Sequence, residues 1–175
     1  MPETHHSKVI QFCPKCGSND FPPDSGRSFK CRNCGFHFFI NSAAAVAALA
    51  FNAKGELLFT RRAITPNKGK LDLPGGFIDP GESAEEALKR ELKEELGVNV
   101  VSLEYFTSAP NEYVFSGYSV FTLDMAFIVV PESLEGLVAM DDISGFEFIR
   151  PADVDFNDLP ALSMQYFVKE AGRRL

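Results

Sequence analysis

Glu91, Glu94 and Glu95 stand at positions i, i+3 and i+4. On a helix those positions share one face. Like charges so crowded repel, and helix surfaces ordinarily avoid the arrangement. A hard dication reverses the penalty, because Mg²⁺ and Mn²⁺ take oxygen ligands. A second constellation lies far upstream: Cys13-x2-Cys16 and Cys31-x2-Cys34, with fourteen residues between the pairs. Four thiolates in two such knuckles suit one tetrahedral Zn²⁺. Gly17 and Gly35 follow the second Cys of each pair, where the chain must turn tightly around a metal. Disulfides would suit a secreted chain, but residues 1–11 lack a basic-then-apolar leader pattern. A single redox Cys-x2-Cys would leave the second pair unexplained. His37 is read as a core or surface residue, since four Cys already complete a zinc shell.

The carboxylates need a helix to hold them, and residues 83–96 supply one. Ser83 with Glu86 three positions on makes a capping box, and Gly97 is a stop. Leu88, Leu92 and Leu96 form a stripe that docks the helix on a sheet. Ala84 and Ala87 are expected near the carboxylate face, leaving it sterically open. Arg90 is within reach of Glu86 and Glu94 at the i,i+4 spacing. Before the helix stands the breaker Pro74-Gly75-Gly76. Residues 43–51 and 56–61 read as two strands of a hairpin turned at Gly55. Further strands are expected at 98–106, 119–130 and 146–149. In the second of these, Phe121, Leu123, Met125, Phe127 and Val129 occupy one face. Asp158 is a candidate cap for a last helix, with Leu159, Leu162 and Tyr166 at helical spacing. Strands interleaved with two helices indicate an α/β fold, layered around a mixed sheet.

Residues 76–98 read GFIDPGESAEEALKRELKEELGV. They fit G-x5-E-x7-R-E-U-x-E-E-x-G-U, with U aliphatic, through Gly76, Glu82, Arg90, Glu91, Leu92, Glu94, Glu95, Gly97 and Val98. The segment resembles the Nudix hydrolase signature at every defined position. The resemblance implies an α/β/α sandwich around a mixed sheet, here preceded by a small zinc ribbon. It implies a metal-dependent pyrophosphohydrolase, with Arg90, Glu91, Glu94 and Glu95 as the catalytic set. Glu94 and Glu95 would be ligands of Mg²⁺ or Mn²⁺, Glu91 a ligand or an orienting group, and the Gly76 carbonyl a further ligand. The general base varies within that family. It is either a box Glu or an acid on a later loop; Asp141 and Asp142 are the loop candidates, with a plain solvated loop as the bland alternative.

A zinc ribbon before a Nudix domain resembles the NADH pyrophosphatase group, which carries S-Q-P-W-P-F-P-x-S after the box. Residues 108–116 read SAPNEYVFS. Both Ser, the first Pro and one aromatic position agree; the Trp and the later prolines do not. Tyr113 and Phe115 are candidates for stacking on a base. Arg61, Arg62, Lys68 and Lys70 are candidates for phosphate contacts, weighed evenly against solvated surface roles.

Length and charge set the frame. The chain has 175 residues and a formal net charge of -7. Residues 1–40 hold five Lys/Arg against three acids, while the remainder holds twelve against twenty-one. The expected division is a ribbon over 1–40 and a Nudix domain over 41–175. Forty residues bury too little apolar surface to fold unaided, so Zn²⁺ is expected to hold the ribbon together. Four thiolates would cancel the ribbon's small positive excess. That argues against nucleic-acid binding and for a structural or dimerising role, with a homodimer as the candidate assembly. The longest apolar run is too short to span a bilayer, so a cytoplasmic protein with no membrane partner is expected. His5 and His6 are expected to be inert residues of a flexible tail.

The expected substrate is a small nucleotide, a nucleoside diphosphate derivative such as ADP-ribose or NADH. The competing class is a non-catalytic ligand sensor or RNA-binding adaptor on the same fold, which would be expected to lose box carboxylates. An isomerase branch that uses a cysteine is disfavoured, because no Cys follows residue 34.

Overall fold

The computed structural model describes residues 2–174. The chain divides into two compact units: one runs up to Ser42 and takes in Glu112–Phe121, and the other holds Ala43–Asn111 and the chain from Thr122 onward.

In the smaller unit a short helix, α1 (His6–Val9), precedes three strands: β1 (Pro23–Ser25), β2 (Ser28–Lys30) and β3 (His37–Phe39). They form an antiparallel sheet in the order β1-β2-β3, with Phe29 opposite Phe38. Its core is Cys13, Phe21, Phe29 and Cys31, and Phe21 stacks on Phe29 at 5.3 Å. So few apolar side chains cannot carry forty residues alone. The four thiols cluster instead, all within 4.8 Å of one another, and none is in a disulfide. Each knuckle turns as its glycine requires. Gly17 and Gly35 have φ of +73° and +74°, and their N–H groups donate to the Cys13 and Cys31 carbonyls. His37 is exposed and pairs with Asp24 at 3.2 Å. The expectation that His6 lies in a loose tail is corrected. His6 is 5% exposed, its Nε2 lies 3.0 Å from the Gly26 carbonyl, and its ring meets Phe29 and Phe121 edge-on.

The larger unit is built on two sheets. Strand β4 (Ala43–Ala50) pairs in parallel with β8 (Tyr118–Pro131), which pairs with β7 (Val100–Phe115). Strand β5 (Leu57–Arg62) lies between β6 (Leu71–Asp72) and β9 (Ile143–Ile149), antiparallel to both. The expected hairpin of the first two strands is therefore corrected: β4 and β5 belong to different sheets, joined by a single bridge from Phe51 to Leu57. The alternation of β4 explains the split. Val46, Ala48 and Ala50 face one apolar cluster, while Ala47 and Leu49 face the other. A strand buried on both faces reads as a continuous apolar run and takes a central place.

Helix α2 (Ala84–Leu96) covers the first cluster and α3 (Leu162–Arg174) the second, which gives helical layers on either side of the sheets. In α3 the buried residues are Ser163, Phe167, Val168, Glu170 and Ala171. Leu162 is 70% exposed and Tyr166 39%, so the expected Leu162–Tyr166 stripe is wrong by one position. Nor does Asp158 cap this helix; its carboxylate is taken by Arg61 and Lys70. In β8 both faces are covered, with Ala126 in one cluster and Phe127 and Val129 in the other, whereas Leu123 is exposed. Among the described residues no helix is long and apolar enough to cross a membrane.

Candidate active site

Helix α2 begins where its cap predicts. The Ser83 hydroxyl accepts the Glu86 N–H, and the Glu86 carboxylate accepts the Ser83 N–H. Gly97 ends the helix at φ +71°. Leu88, Leu92 and Leu96 are buried at 2% exposure or less, so the stripe docks the helix as expected. Ala87 is fully buried in the same cluster and does not border an open carboxylate face. The apolar arc is wider than three leucines, and Ala87 extends it.

The carboxylates lie at the rim of that buried arc. Glu94 is half exposed, Glu91 is largely covered, and Glu95 is 5% exposed. Glu95 accepts the Gly75 N–H at 3.0 Å. Burial pushes its carboxyl up to about 9; Asp142, Glu91 and Asp72 add to this, and the Gly75 hydrogen bond offsets only part of it. Burial also raises Glu91, against the pull of Arg90. Arg90 is the organiser. It grips Glu82 with Nε and Nη2 at 2.8 and 2.9 Å, reaches Glu91 at 2.7 Å and Glu94 at 3.1 Å, and donates to the Phe77 carbonyl at 3.0 Å. The expected Arg90–Glu86 contact does not form, because Glu86 is spent on the cap.

The loop facing the helix is laid along β4. The Pro74 and Gly76 carbonyls accept the Ala48 and Val46 N–H groups, and the Ile78 N–H donates to Ala44. Glycine is required at Gly75, and at Gly76 a side chain would displace the Glu91 carboxylate. A Cβ on Gly75, whose φ is +141°, would sit 2.1 Å from the Val46 carbonyl oxygen. One on Gly76 would sit 2.5 Å from Glu91 Oε1. Gly75→Ala should therefore cost about 2 kcal/mol or more, combining backbone strain with a clash against main chain. Urea unfolding measures it; an unchanged midpoint would mean that the loop is laid differently.

Glu82 gives an acid-side signature. Arg90 pulls its carboxyl down to about 2, from an ordinary value of 4.5. A depressed folded value means that the ion pair's contribution is complete above the unfolded value and is lost as pH falls through the folded one. Glu82→Gln should thus be less stable than the parent above about pH 5, and the gap should close between about pH 4.5 and 2. A gap that does not change with pH would remove Glu82 from the clamp.

Other expected contacts are differently placed. Arg61 is held by Glu147 and Asp158, Arg62 by Asp72 at 3.0 Å, and Lys70 by Asp158 at 3.3 Å. A substrate phosphate would have to compete with those carboxylates. Lys68 is exposed. Tyr113 and Phe115 lie in the β7–β8 hairpin tip, which belongs to the smaller unit, whereas the carboxylates belong to the larger. Asp142 lies close enough to raise both Glu91 and Glu95, while Asp141 is exposed. Sequence reasoning missed Asp72, a further acid beside Glu95 whose own carboxyl is raised by burial. Its signal was an acid directly before Leu73-Pro74-Gly75, in an otherwise apolar strand.

By its chemistry the donor set suits a hard cation, although among the described residues the four Cys alone bring three or more ligand atoms within reach of one ion. It is all oxygen, and two of its carboxyls are raised by burial and by mutual repulsion, a cost that a cation relieves. The thiols fit a different ion. Cys13–Cys34 and Cys16–Cys31 Sγ separations are 3.8 and 3.7 Å, and the edge of a tetrahedron with ~2.3 Å Zn–S bonds is ~3.8 Å.

The model of the NUDIX domain matches residues 41–169. The chain belongs to the NUDIX domain family. Members of this family are hydrolases that generally use divalent metals. Among its relatives, the NAD-capped RNA hydrolase NudC of Haemophilus influenzae (strain PittGG) is 30% identical over 107 residues, which is 61% of this chain and 40% of that protein. The NudC of Pseudomonas aeruginosa (strain LESB58) is 33% identical over 98 residues, covering 56% and 34%. Nudix hydrolase 19, chloroplastic, of Arabidopsis thaliana is 34% identical over 104 residues, covering 58% and 24%. The matches thus span less than half the length of these relatives. Two solved structures share the fold. A NUDIX hydrolase from Nitrosomonas europaea has a TM-score of 0.63 at 20% identity, covering 94% of this chain and 89% of its own. The NUDIX domain of Shewanella oneidensis NrtR, solved with ADP ribose, has a TM-score of 0.59 at 22% identity, covering 78% and 90%.

Proposed function

We propose that this NUDIX chain is a pyrophosphohydrolase, dependent on Mg²⁺ or Mn²⁺, that cleaves a P–O–P bond in a nucleoside diphosphate derivative such as ADP-ribose or NADH. One observation carries the reading: a complete set of box carboxylates, graded from half-exposed Glu94 to buried Glu95, with Glu91 and Glu94 tied by Arg90 and Glu95 held by the Gly75 N–H. Glu91, Glu94, Glu95 and the Gly76 carbonyl would hold the divalent ion. When bound, it supplies charge neutralisation at the diphosphate and an activated water for in-line attack. Arg90 fixes the carboxylates so that little reorganisation is needed on binding. Asp142, whose charge bears on Glu91 and Glu95, is a candidate to take a proton from the attacking water. In the smaller unit the four thiolates would hold a structural Zn²⁺.

The names of the relatives bear on the substrate. The same P–O–P linkage occurs in free NADH and at the NAD cap named for the NudC proteins, so the charge argument against nucleic acid does not exclude a capped RNA end. The intact box disfavours the sensor or adaptor reading. The test is product analysis with ADP-ribose, NADH, an NAD-capped RNA and ATP at equal concentration. AMP from ADP-ribose and NADH, exceeding any release of pyrophosphate from ATP, is the expected result. Hydrolysis of ATP alone would overturn the substrate assignment.

A further inference from the structure

The smaller unit contains a cavity that the acidic helix does not use. Its volume is about 420 Å³, and it is lined by His5, His6, Arg27, Asn41, Ser42 and Phe121 with parts of two neighbours, all within that unit. The volume is in the range of small-molecule sites, roughly 300–1,000 Å³. No Asp or Glu lines it. Arg27 takes part in none of the ion pairs among the described residues. Its main chain is anchored by the Ile40 N–H, which donates to the Arg27 carbonyl, so its guanidinium is presented from a fixed strand turn. The cavity therefore selects against cations and for an anion.

His6 walls the cavity without offering it a free polar atom. Its Nε2 lies 3.0 Å from a carbonyl oxygen, which can only accept, so Nε2 carries the proton. Its Nδ1 is buried with no hydrogen-bond partner. His5, chiefly through desolvation and then the neighbouring His6, is held below the usual imidazole value, so at neutral pH the positive charge comes from Arg27. The remaining walls are an aromatic ring, an amide and a hydroxyl. Inorganic phosphate would use the charge but leave the ring and the amide idle.

We propose that this cavity binds a nucleoside monophosphate, with the phosphate on Arg27 and Ser42, the base against Phe121, and Asn41 at the base edge. The proposal goes beyond the hydrolase reading and stands without it, because its readout is binding and not turnover. The experiment is calorimetric titration of the full, zinc-loaded chain carrying Glu94→Gln with AMP, in buffer free of Mg²⁺ and Mn²⁺. Saturable binding is expected, weakened about tenfold or more by Arg27→Ala, since a charge-assisted contact to phosphate is lost. Phe121→Leu should weaken it severalfold, and adenosine and inorganic phosphate should each bind less tightly than AMP. Amide spectra of each variant verify the fold; Arg27 is exposed, so its replacement leaves the core intact. Absence of saturable AMP binding, binding indifferent to Arg27→Ala, or adenosine binding as tightly as AMP would each overturn the assignment.

Discussion

Replacing Glu94 or Glu95 by Gln should give a folded protein whose turnover with Mg²⁺ is lower by at least ~10²-fold, comparable to losing one strong electrostatic contact to the transition state. Gln keeps the shape and removes the charge. At Glu94 the change is made on a half-exposed side chain whose one ion pair is with Arg90, so little stability is at stake. At Glu95 the environment is different. The side chain is 5% exposed, and burial already opposes its ionisation. A neutral amide there still offers an oxygen to the Gly75 N–H, so Glu95→Gln should be at least as stable as the parent while being much slower. That pairing of retained stability with lost turnover separates a site residue from a packing residue. Near-normal rates in both variants would remove the helix from the chemistry.

Stripping zinc should have an equally large effect on a different part of the molecule. Structural zinc in small modules contributes about 10–16 kcal/mol of apparent binding free energy, which is folding free energy where no sufficient core exists. The smaller unit has only Cys13, Phe21, Phe29 and Cys31 fully buried in its core, and two of these are thiols. Metal analysis of protein purified without added metal should show close to one zinc per chain. After removal by a strong chelator, or in Cys31→Ser, amide protection along β2 should collapse while α2 stays protected. Zinc-free protein with β2 still protected would show that the unit folds on its own side chains.

The sequence was most informative where one residue type serves one physical need. The Ser83–Glu86 cap, the Gly97 stop, the Leu88–Leu92–Leu96 stripe and the glycines after each Cys pair are all local, and each forms as expected. Legibility failed where two faces compete. Strand β4 is apolar throughout, so its pattern could not say that β5 leaves for another sheet. In α3 the exposed Leu162 and buried Ser163 invert the hydropathy pattern, because Ser163 donates to the buried carboxylate of Asp124. The same holds in the site. Carboxylate spacing placed the glutamates on one face, but only the packed loop shows that Glu95 is sunk against Gly75 and that Asp72 and Asp142 come in from distant strands and loops. His6, read as a tail residue, is buried by contacts with Phe29 and Phe121 that no local pattern announces.

Whether the α2 carboxylates serve hydrolysis between two phosphates is tested most directly by ³¹P NMR of ADP-ribose incubated with the full chain and Mg²⁺. The two diphosphate resonances should give way to two phosphate monoester resonances, from AMP and ribose 5-phosphate, with no inorganic phosphate, and Glu95→Gln should all but abolish the change. Diphosphate resonances that persist while a monoester such as AMP loses inorganic phosphate would contradict that role.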